Sequence, residues 1–570
     1  MLFLFLLHIV VSISCLAVGL LLYSCTGSLV EESGQYMPFI VYIITGLVII
    51  SIIFQVVVVF VPINFYSTGI ASVCLLVLAI NGRKIFYDYF RYLIKTITHN
   101  PKICTGLIII IWWMVLLLSA GPTIMDDTDS YHVQIIKWIQ QYGTVPGLAN
   151  LHERFGFNSA WLTLLSIFIP SGTTANYYSL MNGLLSIWLA AYLLGTLWKS
   201  VEQKLRGNGG INPAGIVLVL LFAFICWPLI RGNATNANYD FITTCVTLVL
   251  FLELWKNRVN TAISDGLLIA LFLWPVLLFT VRITNYPMLL FSLFAFVHCL
   301  QHKKFLFAGL LTSLCVVTIA SFLARNVILS GYLFYPVYQF DIFNVDWKAD
   351  AENAREIATF IKYFNRAPYS PLSITALQQY TGLSWIPVWF RYMLNYDKVL
   401  LLVALPGFLI TIFKIKRLGI TNTAVRLSIF ILCLQLLSWM AVAPDPRFAY
   451  GALLAGAYLF GLHFEKMTGK LFNQTTRTLA FGIAGVLILY YNIHKITSDK
   501  NYRNFVTPIL LPLPPVKVSK TNNISLYIPE KINGNWNARC FATNLPCLYK
   551  IHPGLEGRST NIKDGFKIKK

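Results

Sequence analysis

The 570-residue chain is 57% hydrophobic and only 12% charged, with a mean hydropathy of +0.67 and a formal net charge of +21. A soluble chain carries roughly a quarter charged residues, so this composition excludes a soluble, fibrous, disordered or disulfide-scaffold protein and predicts an all-α polytopic membrane protein. No polar stretch approaches the ~100 residues of a soluble catalytic domain, and the positive charge, gathered in short loops between apolar runs, reads as membrane orientation, not nucleic-acid binding.

In chain order, the first apolar run, residues 1–23, lacks a basic leader and a small-x-small cleavage site, and is expected to be retained. Fourteen spans are predicted, at residues 3–24, 38–61, 66–82, 103–121, 175–197, 213–230, 239–255, 263–281, 284–300, 305–325, 397–413, 424–442, 447–464 and 477–494. The basic loops at 83–102, 199–206, 256–258, 303–304, 414–417 and 466–477 are then cytoplasmic. No Lys or Arg precedes Arg83, so the rule does not orient the first three spans. Residues 157–169 are apolar but short, and counting them as a span would misplace Lys199, Lys204 and Arg206; a non-crossing amphipathic or re-entrant helix at the outer surface is predicted, beside a second amphipathic run at 133–142. The expected organisation is a three-span module (1–102), a seven-span core (103–325), a large outer loop (326–396), a four-span module (397–494) and a tail (495–570).

With this topology the chemically distinctive residues fall on the extracytoplasmic side, and the cytoplasmic loops hold no nucleotide-binding cradle. The sharpest motif is Met125-Asp126-Asp127-Thr128-Asp129-Ser130-Tyr131-His132, directly after a span. Three carboxylates beside a low-dielectric bilayer raise at least one pKa, and a carboxylate so tuned serves as a general base. Helix capping by one of them is the alternative. Asp127-Thr128-Asp129 is also a D-x-D triplet of the kind that holds a divalent metal with a nucleotide diphosphate, but it lies away from nucleotide sugars. No cofactor is expected, and a divalent metal is the one alternative. Asp240, after the polar run Arg231 to Tyr239, opens a span at the same face. Arg282, Arg325 and Arg447 each lie at a non-cytoplasmic span end, against the charge rule, which suits a lipid-phosphate site; snorkelling to headgroups is the alternative.

A span, an outer loop opening with D-x-x-x-Tyr (Asp127 to Tyr131), two surface helices, and an Asp in the next outer loop together resemble the GT-C glycosyltransferases. Ser330-Gly331-Tyr332-Leu333-Phe334-Tyr335-Pro336 is similar to their G-x-P-x-Y-P element, with Leu333 for its Pro, and Arg447-Phe448 to their late Arg-Tyr. Tyr131-His132, the run Val145 to His152, Arg154 to Ser159 and the tail from Leu545 to Phe566 also resemble a family of bacterial multi-spanning proteins to which no substrate is assigned. The resemblance implies Asp127 as catalytic acid, Asp240 second, and Asp126, Asp129 and His132 beside them. It further implies substrate contacts from Tyr131, Arg154, Arg282, Arg325, Arg447 and Tyr335. Two departures are Asp127-Thr128 in place of Asp-Glu and the lack of a Trp-Trp-Asp motif, which disfavours Asn-glycan transfer.

The expected function is transfer of a sugar from a polyprenyl-phosphate donor to a glycan, lipid or protein acceptor at the outer face of a bacterial inner membrane. A surface-polysaccharide polymerase or ligase, or a lipid-linked-saccharide flippase, is the alternative. The tail carries Cys540 and Cys547, with six residues between them and nothing apolar around them, and thirteen Lys+Arg against four Asp+Glu. A disulfide in an oxidising compartment is expected, the alternative being two free thiols on a cytoplasmic tail.

Overall fold

The computed structural model describes residues 1–30, 34–99, 101–205, 211–225, 232–464, 474–522, 524–530 and 539–569. The predicted basic residues Arg206 and Lys466, with Arg231 and Cys226, lie outside the described residues. The fold is overwhelmingly helical, and among the described residues nine helices are long and apolar enough to cross a membrane. The protein is built as a multi-pass membrane protein.

Helices α1 (Leu2–Cys25), α2 (Phe39–Phe60) and α5 (Lys102–Ala120) are of spanning length. Between them α3 (Phe65–Asn81) bends by 80° into α4 (Arg83–His99), so the third expected span is half of a broken pair and the first basic loop is an amphipathic helix. After α5 come the short α6 (Val133–Tyr142), α7 (Leu148–Leu151) and α8 (Ala160–Phe168). The long α9 (Leu180–Leu205) and short α10 (Pro213–Leu220) follow. Two helices at the centre, α11 (Asp240–Lys256) and α12 (Asp265–Val281), have 17 residues each, about 25 Å at 1.5 Å per residue and short of the ~30 Å bilayer core. Both are buried along nearly their whole length, α11 against α9, α12, α19 (Thr423–Val442) and α20 (Tyr450–Gly461), as an all-round apolar helix requires. Around them stand α13 (Leu289–Gln301), α14 (Phe305–Ser330), α18 (Asn395–Phe413) and α21 (Gln474–Ser498). Among the described residues the fourteen expected spans are nine of full length, shorter or broken helices at 65–81, 240–256, 265–281 and 450–461, and one, 213–230, whose last five residues lie outside the described residues. Hydropathy alone does not separate a spanning helix from a buried one.

Residues 157–169 do form a helix, α8, whose nine residues are too short to cross. It is not a surface helix, however: Ala160 through Ser166 are buried among α2, α6 and α12. The Gln140 amide donates to Ser166 O (3.0 Å) and Ile169 O (2.8 Å), satisfying the carbonyls that a helix end leaves free. Helix α6 is likewise buried from Val133 to Gln140, because the tail covers its polar side.

The tail departs most from expectation. It holds two antiparallel hairpins, β1 (Val516–Thr521) with β2 (Ile524–Pro529) and β3 (Leu555–Gly557) with β4 (Phe566–Ile568), so the fold is not purely α. Cys540 and Cys547 are joined in a disulfide. Both are buried, in the company of Leu526, Ala542 and Leu548, which corrects the expectation of apolar-free surroundings. The tail is laid over the end of the bundle where α5 finishes. Ile509 N donates to Ala120 O (2.9 Å), Leu511 N to Thr174 O (2.8 Å) and Phe566 N to Pro146 O (3.1 Å). On α6, Lys137 Nζ donates to Ala542 O (2.7 Å) and Thr543 O (2.6 Å), and the Gln134 amide to Phe541 O (2.9 Å).

Gly565 makes the contact of Phe566 with Pro146 fit. Its φ is +90°, and a Cβ there would lie 2.0 Å from Pro146 O. Gly565→Ala is expected to loosen the docked tail by about 1–3 kcal/mol, read as faster trypsin cleavage within residues 539–569 while the helical bundle remains intact. An unchanged cleavage rate would mean that Pro146 does not hold the tail.

Candidate active site at one end of the bundle

The acidic motif is held by the Asn-rich segment that the sequence places in the next loop. The Asn236 side-chain oxygen accepts from Ile124 N (3.2 Å) and Met125 N (3.1 Å), and the Thr128 hydroxyl accepts from Ala237 N (3.1 Å). Ser119 at the end of α5 donates to Ala234 O (2.7 Å), and Asn182 of α9 donates to Asn236 O (2.9 Å) and Asn238 O (2.8 Å). Residues 233–238 are therefore a scaffold of buried amides, each satisfied as burial demands. The residues from Thr128 to His132 form one π-type turn leading into α6.

Five separate segments bring charge to this scaffold. Asp127 Oδ1 lies 3.1 Å from Arg154 Nη1, in the 3₁₀ turn Glu153–Gly156, and its Oδ2 lies 3.3 Å from Arg447 Nη1, in the 3₁₀ turn Pro446–Phe448 after α19. Arg447 Nε is 3.0 Å from Asp445 and 3.8 Å from Asp240, the first residue of α11. Asp240 Oδ1 accepts from Arg282 Nη1 (2.8 Å), just past the end of α12. Three carboxylates thus face three guanidiniums in one chain of contacts. The Arg154 guanidinium also lies over the rings of Tyr131 (5.1 Å) and Phe360 (5.9 Å), and that of Arg282 over Tyr239 and Phe448.

The electrostatics separate the three acids of the motif. Desolvation pushes the Asp127 carboxyl up, but Arg447 and Arg154 outweigh it and hold it below the usual range, so Asp127 is ionised and a quarter of its side chain is exposed. Asp129 turns the other way, under the tail. It accepts from Thr123 Oγ1 (2.8 and 2.7 Å), stands 3.5 Å from Arg539, and its backbone oxygen accepts from Phe541 N (2.9 Å). Burial raises its pKa to about 6. Asp126 is exposed and paired with Arg539. The carboxyl whose pKa is raised is Asp129, and its burial keeps it from solvent. The two ends of the D-x-D triplet are engaged by different arginines, and among the described residues no group of three or more His, Cys, Asp or Glu has a metal-holding arrangement. His132 is buried against Tyr131 (4.3 Å) and Tyr239 (5.6 Å), with neither ring nitrogen hydrogen-bonded. Burial lowers its pKa to about 4, so the ring is neutral.

Two expected site residues stand apart. Arg325 is buried in α14, where it donates to Asn158 Oδ1 (2.7 Å), Thr163 Oγ1 (3.0 Å) and Thr144 Oγ1 (3.3 Å), with no carboxylate among its partners. Its position does not join it to Arg282 and Arg447, so the three arginines do not surround one point. Tyr335 is buried against Phe157 and Tyr332, beneath Gly156. Conversely, Asp445, Phe360 and Arg539 belong to the site and were not expected there, whereas Tyr239 falls in the run leading to Asp240. Asp445 alone had a visible signal, its place two residues before Arg447 in Pro-Asp-Pro-Arg.

A family described as "Domain of unknown function (DUF8201)" matches residues 1–454. The chain belongs to that family. The matched segment contains the whole Asp127–Arg447–Asp240 network, whereas Arg539 and the docked tail lie beyond it. No match was found among curated proteins or solved structures.

The raised pKa of Asp129 fixes a sign. Its folded value, about 6, lies above the unfolded 3.8, so the stability contributed by the protonated form is complete below about pH 4 and lost as pH rises through 6. Asp129→Asn is expected to remove this dependence, so that wild type loses on the order of 2–3 kcal/mol relative to the variant between pH 4 and 7. Thermal unfolding of both proteins across that range tests it; parallel curves would place Asp129 in water.

Proposed function

We propose that this protein is a glycosyltransferase of a bacterial cytoplasmic membrane, moving a sugar from a polyprenyl-phosphate donor to an acceptor at the extracytoplasmic face, with Asp127 as the base. The observation that carries the reading is the convergence of Asp127, Asp240, Arg154, Arg282 and Arg447 from five segments on one end of the bundle. Largely desolvated ion networks are costly, and apolar residues of similar volume often serve stability as well or better, so such a network points to chemistry. The side assignment is supported by Lys256, Lys304, Lys414, Lys416 and Arg417, which cluster at the opposite ends of the same helices.

In the proposed reaction the acceptor oxygen attacks the anomeric carbon and gives its proton to Asp127. The bond from that carbon to the phosphate oxygen breaks, and polyprenyl phosphate departs with the electron pair. In the resting protein Arg154, Arg282 and Arg447 are each bonded to a carboxylate, so a donor phosphate gains a guanidinium only by drawing it from an acid. An arginine drawn from Asp127 releases the group that holds its pKa down, and the carboxylate becomes a stronger base as the donor arrives. The same guanidinium then faces the charge growing on the leaving phosphate.

Purified protein incubated with labelled polyprenyl-phosphate sugars and envelope extract tests the reading. Asp127→Asn is expected to lower transfer about 100-fold or more and, by leaving Arg154 and Arg447 short of a partner, to lower the unfolding temperature of a chain that still folds; activity within about threefold of wild type would remove Asp127 from the base role. Arg447→Gln is expected to weaken donor binding by roughly 1.5–3 kcal/mol. Unchanged donor affinity would leave that arginine a purely structural partner of Asp240 and Asp445.

A further inference from the structure

A groove of about 550 Å³ lies beside the charged network, between α15 (Ala351–Phe364), α16 (Ile374–Gln378) and tail residues 549–552. Its size falls within the ~300–1,000 Å³ of small-molecule sites. We propose that it binds a short, neutral oligosaccharide, the acceptor of the transfer described above. Its role as acceptor rests on the transferase reading; the binding itself does not.

The lining excludes the other ligands of a membrane enzyme. Glu153, Glu352 and Glu356 oppose an anionic headgroup, and Arg355 and Lys550 bring the wall close to neutrality, so neither a polyanion nor a polycation is matched. Ile357, Phe360 and Ile374 give the wall some apolar surface, but the charged and amide side chains interleaved with them leave no continuous apolar track for a lipid chain. A ligand rich in hydroxyl groups fits: carboxylates and the amides of Asn353 and Gln378 accept hydroxyl donors, and aromatic rings offer faces to the C–H side of a pyranose.

Both rings, Phe360 and Tyr549, are held in place by neighbours. The Tyr549 hydroxyl donates to Glu153 Oε1 (2.9 Å), and its ring packs edge-on against His152 (4.9 Å). Phe360 stacks on Phe364 (5.2 Å), and the Arg154 guanidinium lies over its face (5.9 Å). Arg154 is also the residue 3.1 Å from Asp127. Arg154 therefore links the Phe360 end of the groove to the proposed base, and the tail supplies Tyr549, the ring on which a sugar is placed.

The test is thermal unfolding of the detergent-solubilised full chain with maltotriose, cellotriose and tri-N-acetylchitotriose, and with trigalacturonate and triglycine as charged and peptide controls. At least one neutral trisaccharide is expected to raise the unfolding temperature in a saturable way. Tyr549→Ala is expected to weaken that binding about tenfold, the effect of a lost ring contact, and Tyr549→Phe to retain it. Tyr549 and Glu356 are exposed, so Tyr549→Ala and Glu356→Gln open no cavity in the core. Asp127→Asn is expected to bind as wild type does, which separates failure of the groove from failure of the catalytic reading. A response to triglycine or trigalacturonate alone, no response to any trisaccharide, or a response unchanged by both Tyr549→Ala and Glu356→Gln would overturn the proposal.

Discussion

The guanidinium of Arg447 is the interaction on which the functional end of the bundle depends. It stands within 4 Å of Asp127, Asp240 and Asp445, which come from the loop after α5, the start of α11 and its own turn. Desolvating four charged groups is expensive, and the mutual attraction offsets that cost only while all partners are present. Removing any one of them leaves a net charge in a low-dielectric place. The acidic loop is therefore tied to the central helices by these ion pairs as well as by the amides of the Asn-rich segment. A phosphate arriving there enters a closed set of pairs and has to exchange with a carboxylate.

The tail solves a related problem on the outer side of α6. Lys137 is buried with no acid beside it, and its pKa falls to about 8 through desolvation. The carbonyls of Ala542 and Thr543, inside the loop closed by Cys540 and Cys547, supply the oxygens it lacks. Arg539, next to that loop, neutralises Asp126 and Asp129 in turn. The tail's positive residues and polar carbonyls are thus used as partners for a loop whose own charges would otherwise be stranded, which explains why a segment outside the family match is so closely fitted to one inside it.

The sequence made the helical membrane class legible, because composition and apolar runs report it directly. It also made legible the chemistry of one end, since Asp127, Asp240, Arg282 and Arg447 each break a local rule: an acid or a base where the bilayer disfavours one. It did not reveal the pairing of those residues. Arg325 breaks the same charge rule as Arg282, yet is satisfied by Asn158 and Thr163, and nothing in the spacing separates the two cases. The β hairpins were missed because each strand is six residues or fewer and alternates too briefly to stand out beside long helices. The burial of α6 and α8 was missed for a different reason: amphipathicity says that one face is apolar, but what covers the other face is distant in sequence, the tail some 400 positions away for α6 and helices α2 and α12 for α8.

The shortness of α11 and α12 links the fold to the site. A 17-residue helix that is buried on every side leaves its polar ends recessed behind longer neighbours such as α9, with 26 residues, and α14, also with 26. Asp240 opens one short helix and Arg282 follows the end of the other, and both side chains are largely buried. In such a recess water is scarcer, and each ion pair acts more strongly than it would at an exposed helix end. The longer neighbours, the loop carrying Arg154 and the docked tail then form walls around the recess. Asp240 and Arg282 are thereby paired where solvent screens them little, with 8% and 15% of their side chains exposed.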